Sequence, residues 1–353
     1  MKYFCLVLTL IVFVSAWSKF VPCGNRKDKE DRILVVATCD TRIGWREFHA
    51  MKLWNVTGEH LRENDKILMK NVCKGENWGR LGFLTKPLIY LSYIRSFMTL
   101  PDASKYHIIL MDSDTFWAAS NLQHIWRNYD CARGSKSVVV STEMSCWVGR
   151  YCTQEDIDKW YSDAHKAPSF SPFINSGVVM GQLSSVARML EHVVVHNQSY
   201  YTTYGRKYKF DDQLAIGDYA ITVAPQEVAV DYHQQISASC SVHAPGDPPD
   251  EGWPFLCKNR NGTLSFSCHI YNNLVRRQGH FAVSKDSCLV RRQVSAGMAL
   301  EEELGSLSLD PIVWHGNGAG KKVCLDYGYH SYICHLNKRQ LTDKEYVQKY
   351  GYA

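Results

Sequence analysis

His107-Ile108-Ile109-Leu110-Met111-Asp112-Ser113-Asp114 is the stretch that decides the fold of this sequence, because an apolar run ends there directly in two acidic residues. A short apolar run bounded by polar residues is typical of a strand that is buried on both faces of a sheet. Two more runs have the same character, Ile33-Leu34-Val35-Val36-Ala37 and Ser137-Val138-Val139-Val140-Ser141. The sequence therefore predicts buried strands at all of these positions.

Helical patterns separate these strands. Pro87 can occupy the first turn of a helix that runs to about Met98, and residues 184–196 repeat apolar side chains at helical spacing. A short helix is predicted over 121–128, and residues 45–70 hold a helix and a further strand. Strands that alternate with helices predict an α/β fold with a mixed, largely parallel sheet flanked by helices. Ligands of such sheets bind beyond the carboxyl ends of the strands, so the loop after Met111 is the first candidate site.

The composition is that of an ordinary globular protein. The chain has 353 residues, with 40 Lys and Arg against 35 Asp and Glu, and a net charge of +5. This weak charge is not the basic surface that a nucleic-acid-binding protein needs, so no nucleic-acid partner is expected. Nothing in the composition resembles a disordered tail, a collagen repeat or a coiled coil.

The first residues and the cysteines indicate the secretory pathway. Residues 1–16 resemble a signal peptide, with Lys2 before a short apolar run and small residues at the end. That run is too short to cross a bilayer, so no stable membrane insertion is expected. We expect a protein of the endoplasmic reticulum or Golgi lumen, or a secreted one. The C-terminus, residues 349–353, is not a KDEL-type signal.

Disulfide bonds are the expected state of the cysteines. Of the 13 cysteines, Cys5 lies in the predicted signal peptide and 12 remain, with no C-x-x-C pair among them. In an oxidising compartment such cysteines form disulfides more often than zinc sites. Three sequons, at Asn55, Asn197 and Asn261, fit the same compartment. Residues 239–292 are rich in cysteine and are predicted to be a disulfide-rich insertion within a single domain over 17–353.

The acidic pair Asp112 and Asp114 has the pattern of a metal site. Two carboxylates that follow a buried strand converge on one point when the chain turns there, and their oxygens suit a hard divalent cation such as Mg²⁺ or Mn²⁺. Such a cation can neutralise a departing nucleotide diphosphate. An ordinary acidic turn is the first alternative. An aspartyl-nucleophile phosphatase is the second, but its pattern places Thr or Val where this chain has Phe116.

A glycine-rich stretch near the C-terminus, residues 313–321, supplies a further candidate ligand. His315 can bind a metal ion, Asn317 can hydrogen-bond a phosphate or a ribose, and Lys321 can neutralise diphosphate charge. Its glycines, Gly318 among them, allow a ligand to approach the backbone closely. Two carboxylates and an imidazole suit Mn²⁺ better than Ca²⁺, with Mg²⁺ as the alternative ion.

The motifs together resemble the glycosyltransferase domain of the procollagen lysyl hydroxylase/glycosyltransferase family. The matches follow the family order from 33 to about 330: the strand at 33–38, Trp78, Lys86, the metal aspartates, the segment 141–147, Asn175-Ser176-Gly177, Asp211-Asp212-Gln213-Leu214, and His315-Gly316-Asn317-Gly318 with Lys321. The family spaces its metal aspartates as D-x-x-D, whereas this chain has D-x-D. No H-x-D pattern of a hydroxylase half occurs.

The resemblance implies a GT-A-type fold, a UDP-sugar donor and a role for each matched residue. Asp112, Asp114 and His315 would hold Mn²⁺. The donor would be bound by Trp78, Lys86, Ser113, Asn317, Gly318 and Lys321. Asn175, Asp211 and Asp212 would act on the transferred sugar, and Glu143 and Trp147 would line the acceptor side.

The function predicted from the sequence is transfer of a hexose from UDP-glucose or UDP-galactose to a hydroxyl of a protein or glycan acceptor. For several of these residues a structural role is the alternative. A turn would account for Asn175, a helix cap for Asp211 and Asp212, and core packing for Trp78. A secreted carbohydrate-binding protein that has lost turnover is the non-enzymatic alternative.

Overall fold

The three apolar runs lie in one six-stranded sheet in a computed structural model of the chain. The structure describes residues 31–40, 45–73, 84–143, 155, 158–159, 173–204, 211–239, 242–243, 256–258, 265–267, 311–316, 345 and 348–349. The strands of this sheet are β1 (Ile33–Cys39), β2 (Ile67–Asn71), β3 (Tyr106–Asp112), β5 (Val138–Glu143), β6 (Phe173–Gln182) and β7 (Val228–Val230). Two smaller sheets contain β4 (Thr115–Trp117), β8 (Ser237–Ser239), β9 (Val242–His243), β10 (Leu256–Lys258), β11 (Ser265–Ser267) and β12 (Val313–His315).

The strand order of the central sheet is β2-β1-β3-β6-β5-β7. β6 is antiparallel to both of its neighbours, and the other pairings are parallel. The carboxyl ends of β1, β2, β3, β5 and β7 therefore meet at one edge of the sheet. This arrangement confirms the predicted α/β fold with a mixed sheet.

Helices cover both faces of the sheet. They are α1 (Trp45–Thr57), α2 (Glu59–Arg62), α3 (Thr85–Met98), α4 (Leu122–Arg133), α5 (Leu183–Tyr204) and α6 (Asp212–Asp218). Alternate residues of each strand point to opposite faces, so Val35 and Leu110 pack with α3, α5 and α6, whereas Val36 and Ile109 pack with α1 and α4. Burial of both faces explains why these strands read as continuous apolar runs.

The predicted helices are present with shifted bounds. The predicted strands are β1, β2, β3 and β5, whereas β6, β7 and the short strands of the two smaller sheets do not follow from the sequence pattern. Asn175-Ser176-Gly177, for which a turn was the structural alternative, lies inside β6. The pairing of β5 with β6 shifts register between Val140 and Ser141, close to this segment. This part of the strand lacks the apolar pattern from which strands are predicted, because Asn175 and Ser176 are polar and hydrogen-bond to neighbouring segments.

A disulfide joins the ends of two neighbouring strands. Cys39 is the last residue of β1, and it is bonded to Cys73, which follows β2. The Asn71 side chain adds hydrogen bonds to the backbone N–H and C=O of Asp40 and to the N–H of Cys73. These bonds hold the segment after β1 against the end of β2. The predicted disulfide chemistry is thus observed here, while most of the cysteine-rich stretch 239–292 lies outside the described residues.

Two of the three sequons are placed by the structure, and neither is in an exposed loop. Asn55 lies in α1, where it accepts a hydrogen bond from Arg62, and the Thr57 hydroxyl of the same sequon is buried and donates to Leu53. Asn197 is buried in α5. These positions do not fit the surface loops in which glycosylated asparagines are found. In the described ranges, no helix combines the length and the hydropathy that a membrane span requires.

Candidate metal site

Asp112, Asp114 and His315 come together at the carboxyl end of β3. The His315 Nε2 atom lies 3.3 Å from Asp114 Oδ1 and 3.7 Å from Asp112 Oδ2. One ligand atom from each of the three residues lies within 4.8 Å of the others. Among the described residues, this is the one group of three or more His, Cys, Asp or Glu side chains with such geometry. The predicted meeting of these distant segments is therefore observed.

Backbone pairing explains why His315 meets the aspartates. After Asp112 the chain turns, and the Thr115 hydroxyl donates to the Asp112 carbonyl at 2.8 Å. The turn leads into β4, which pairs with β12 in an antiparallel register that places His315 opposite Thr115. The N–H of Gly316 also donates to the Asp114 carbonyl at 2.9 Å. The two ligand-bearing segments are thus held as neighbouring strands.

The three side chains differ in burial, and the site is open to solvent on the side of Asp112. His315 is 2% exposed and Asp114 is 6% exposed, whereas the Asp112 side chain keeps about a third of its surface open, at 32%. Two carboxylates and one imidazole are a donor set that can hold a divalent metal ion. A ligand can reach such a site from the side of Asp112.

Lys86 connects the metal site to the start of α6. Its Nζ atom lies 2.8 Å from Asp112 Oδ1 and 2.8 Å from Asp212 Oδ2. Burial opposes the charged amine, but the flanking carboxylates of Asp112 and Asp212 outweigh it and raise the pKa of Lys86 well above its ordinary value. Lys86 is therefore a cation between two carboxylates, and Asp112 divides its oxygens between Lys86 and His315.

Asp211 caps the helix that Asp212 begins. The Asp211 side chain accepts hydrogen bonds from the N–H groups of Gln213 and Leu214, as an N-cap residue does. Burial raises the pKa of Asp211, although these N–H donors partly oppose the shift. The capping role that the sequence suggested for Asp211 is therefore observed, whereas Asp212 turns its side chain to Lys86.

Half-buried Gln213 joins the buried side chains of Asn175 and Glu143 in a hydrogen-bond network beside the metal site. Gln213 donates from Nε2 to Glu143 at 2.6 Å, and its Oε1 accepts from Asn175 Nδ2 at 3.3 Å and from the N–H of Ser176 at 3.4 Å. Asn175 Oδ1 accepts from the N–H of Gly177 at 2.7 Å. Glu143 is 0% exposed in this arrangement. The network ties β5, β6 and α6 together.

The structure places only part of the predicted site. Ser113 lies half-buried in the turn between the two aspartates. Four predicted donor-site residues and one predicted acceptor-side residue lie outside the described part of the chain: Trp78, Asn317, Gly318, Lys321 and Trp147. Gln213 received no role from the sequence, although it follows the quoted Asp211-Asp212 pair directly. A polar side chain in the first turn of a helix is ordinary, so the sequence does not predict that Gln213 bonds to Glu143 on β5.

Comparisons with known proteins add two solved structures with low similarity. A glycosyltransferase involved in the glycosylation of the major capsid of PBCV-1 has 10% sequence identity and a TM-score of 0.38, and the alignment covers 59% of this chain and 84% of that one. Mouse xyloside xylosyltransferase 1, in its apo form, has 12% identity and a TM-score of 0.33, with 60% and 88% covered. At TM-scores below 0.5, neither likeness establishes a shared fold or activity. No family model and no curated protein sequence matches the chain.

Proposed function

We propose that this protein is a glycosyltransferase of the GT-A type that moves a hexose from UDP-glucose or UDP-galactose to a hydroxyl of a protein or glycan acceptor. The observation that carries the proposal is the convergence of His315 with Asp112 and Asp114, which precede it by about 200 residues of chain. The ordered motifs of the procollagen glycosyltransferase family support the choice of reaction. The predicted signal peptide and the Cys39–Cys73 disulfide support a place in the secretory pathway.

Asp112, Asp114 and His315 would hold the Mn²⁺ ion, with Mg²⁺ as the alternative. When bound, the ion supplies positive charge that stabilises the departing UDP. The open side of Asp112 is where a diphosphate can approach, because His315 and Asp114 are buried behind it. Ser113 lies in the same turn and would face the donor.

Lys86 would orient both the metal ligand Asp112 and Asp212. Its ammonium group is fixed at 2.8 Å from each carboxylate before any substrate arrives, so no reorganisation is needed to bring positive charge to the diphosphate side of the site. Asp212 is held in place by the same contact. We assign Asp212 to orientation of the sugar or to stabilisation of positive charge at its anomeric carbon.

Asp211, Asn175 and Glu143 would act mainly by building the site. Asp211 fixes the start of α6, and the amide of Asn175 is engaged on both sides by Gln213 and Gly177. Glu143 would border the acceptor side through Gln213. Trp78, Asn317, Gly318 and Lys321 stay proposed donor contacts, and Trp147 stays a proposed acceptor contact.

The proposal is tested with the purified full chain, UDP-glucose or UDP-galactose, and free UDP as the readout, with and without Mn²⁺. We expect UDP release that depends on Mn²⁺ and that falls to background in Asp112→Ala. Asp130→Asn is the matched control, because Asp130 is a carboxylate of α4 that is held by Arg32 and Arg133 and belongs to no part of the site. This control should keep UDP release.

Other outcomes of this experiment would overturn the proposal. Binding of the UDP-sugar without UDP release would indicate a carbohydrate-binding protein. Release of phosphate from simple phosphate esters would indicate the phosphatase. UDP release that Asp112→Ala leaves unchanged would place the chemistry elsewhere in the chain.

A further inference from the structure

Asp231 is a buried carboxylate to which the proposed reaction assigns no role. It follows β7 and is 2% exposed. In the described part of the chain, its carboxylate is bonded to three backbone N–H groups: Oδ1 accepts from Gln235 at 2.8 Å, and Oδ2 accepts from Ile236 at 2.7 Å and from Ser237 at 3.2 Å. A buried charge that is satisfied by backbone donors alone fixes the conformation of the segment that supplies them.

The same segment carries the strand that bears His315. Gln235 and Ile236 donate their N–H groups to Asp231, and their carbonyls accept from the N–H groups of Ile312 at 3.0 Å and Val313 at 3.1 Å. β8 then continues in parallel alongside β12, with Val313 opposite Ser237 and His315 opposite Ser239. The peptide groups at 235 and 236 are therefore fixed by Asp231 on one side and hold β12 on the other.

Asp231 is itself anchored on the central sheet. Its backbone N–H donates to the Val140 carbonyl at 2.9 Å, and its carbonyl accepts from the Thr142 hydroxyl at 3.0 Å. Val140 and Thr142 belong to β5. A continuous series of hydrogen bonds therefore connects β5 through Asp231 and the 235–237 segment to β12, two residues before the metal ligand His315.

We propose that Asp231 is a positioning residue of the metal site, which sets the place of His315 by fixing the segment against which β12 pairs. This inference rests on the proposed function, because it assumes that His315 is a metal ligand. Asp112 and Asp114 are placed by β3 and the turn after it. His315 is placed by β12, which pairs with β4 on one side and with the segment that Asp231 anchors on the other. The carboxylate suits this task because one side chain accepts from three successive N–H groups.

The test is Mn²⁺ binding to the full chain, measured by calorimetry at pH 7.5, in wild type and Asp231→Asn. Asparagine has the same shape, but its amide group turns two N–H donors toward backbone donors, so the 235–237 segment must move. We expect Mn²⁺ affinity to fall about tenfold, the scale of a lost supporting contact behind a metal ligand. Asp130 lies on α4, and Asp130→Asn weakens its partly buried ion pairs with Arg32 and Arg133. This variant should leave Mn²⁺ affinity unchanged even where it lowers thermal stability.

The outcomes distinguish a failure of the role proposed for Asp231 from a failure of the proposed metal site. Unchanged Mn²⁺ affinity in Asp231→Asn, with binding lost in Asp112→Ala, overturns this inference and leaves the proposed function standing. Absence of Mn²⁺ binding in wild type overturns the metal site on which both depend. If Asp231→Asn does not fold, Thr142→Val is used, since it keeps the carboxylate and removes only one anchoring hydroxyl. A several-fold loss of Mn²⁺ affinity in that variant supports the role of Asp231, and unchanged affinity overturns it.

Discussion

Gly177 lies directly against the imidazole of His315. A Cβ atom added to Gly177 would lie 2.0 Å from Cε1 and 2.5 Å from Nε2 of that ring, far inside van der Waals contact. Gly177 belongs to β6, beside the end of β3 that carries Asp112. A glycine inside a strand often marks the close approach of another group, and here that group is the proposed metal ligand.

Gly177→Ala should therefore displace His315 and weaken Mn²⁺ binding at least tenfold, because a 2.0 Å contact cannot be absorbed without movement of the ring or of β6. Calorimetric titration with Mn²⁺ measures the change. Gly217→Ala in α6 is the control, since nothing lies within 4 Å of its added Cβ and alanine favours a helix. Equal Mn²⁺ affinity in both variants would show that the His315 ring does not depend on the space at Gly177.

Lys86→Met should lower the free energy of unfolding of the metal-free protein. Asp112 and Asp212 lose the cation they share, and we expect a loss of about 2 kcal/mol, reduced from the value for a fully buried pair because Asp112 is partly exposed. Urea denaturation at pH 7 measures it. The loss of free energy of unfolding should be smaller in the double variant Lys86→Met/Asp212→Asn, because only the Asp112 carboxylate is then left without Lys86.

Lys105→Met is the control for that measurement. Lys105 lies 3.9 Å from Asp31 and both side chains are exposed, so its loss should change the free energy of unfolding by less than about 0.5 kcal/mol. Equal destabilisation in the Lys86 single and double variants would argue against electrostatic coupling between Lys86 and Asp212.

Loss of the Cys39–Cys73 disulfide should destabilise the protein by about 4 kcal/mol, because a cross-link over 34 residues of sequence restricts the unfolded chain. The double variant Cys39→Ala/Cys73→Ala, compared with oxidised wild type by urea denaturation, measures the effect. Cys73→Ala alone should lose nearly as much, since either change removes the bond. A difference of under about 1 kcal/mol would contradict the entropic account.

The stability of the protein should depend on pH through Asp231. Burial raises the pKa of its carboxyl group from 3.8 to about 6, against the opposing effect of its N–H donors. The folded state therefore binds this proton more tightly than the unfolded state. The resulting stabilisation is fully present below about pH 4 and is lost as pH rises through 6, with a total on the order of 3 kcal/mol.

The difference in the free energy of unfolding between wild type and Asp231→Asn isolates this contribution, because other carboxylates titrate in both proteins. Wild type should become less stable relative to Asp231→Asn as pH rises from 4 to 7, in urea denaturation at several pH values. A difference that stays constant over this range would mean that the pKa of Asp231 is the same in the folded and unfolded states.

Prediction of the sheet from the sequence succeeded where strands are buried on both faces. Ile108, Ile109 and Leu110 are buried between two layers of helices, so both faces of β3 are apolar. An unbroken apolar run therefore identifies this strand without any knowledge of its neighbours. β6 escaped prediction because Asn175, Ser176 and Gly177 interrupt its apolar pattern. Asn175 and Ser176 hydrogen-bond to Gln213, and Gly177 lies against His315, and no local rule reports such distant partners.

The sequence by itself determined the α/β layering and the placement of Asp112 and Asp114 at the carboxyl end of a strand, because both follow from the local hydrophobic pattern. Only the tertiary structure decided that β12 pairs with β4 and β8, that Lys86 lies between Asp112 and Asp212, and that Gly177 makes room for His315. These relationships join segments far apart in the chain. They depend on the register of strand pairing and on the packing of side chains, which local pattern does not specify.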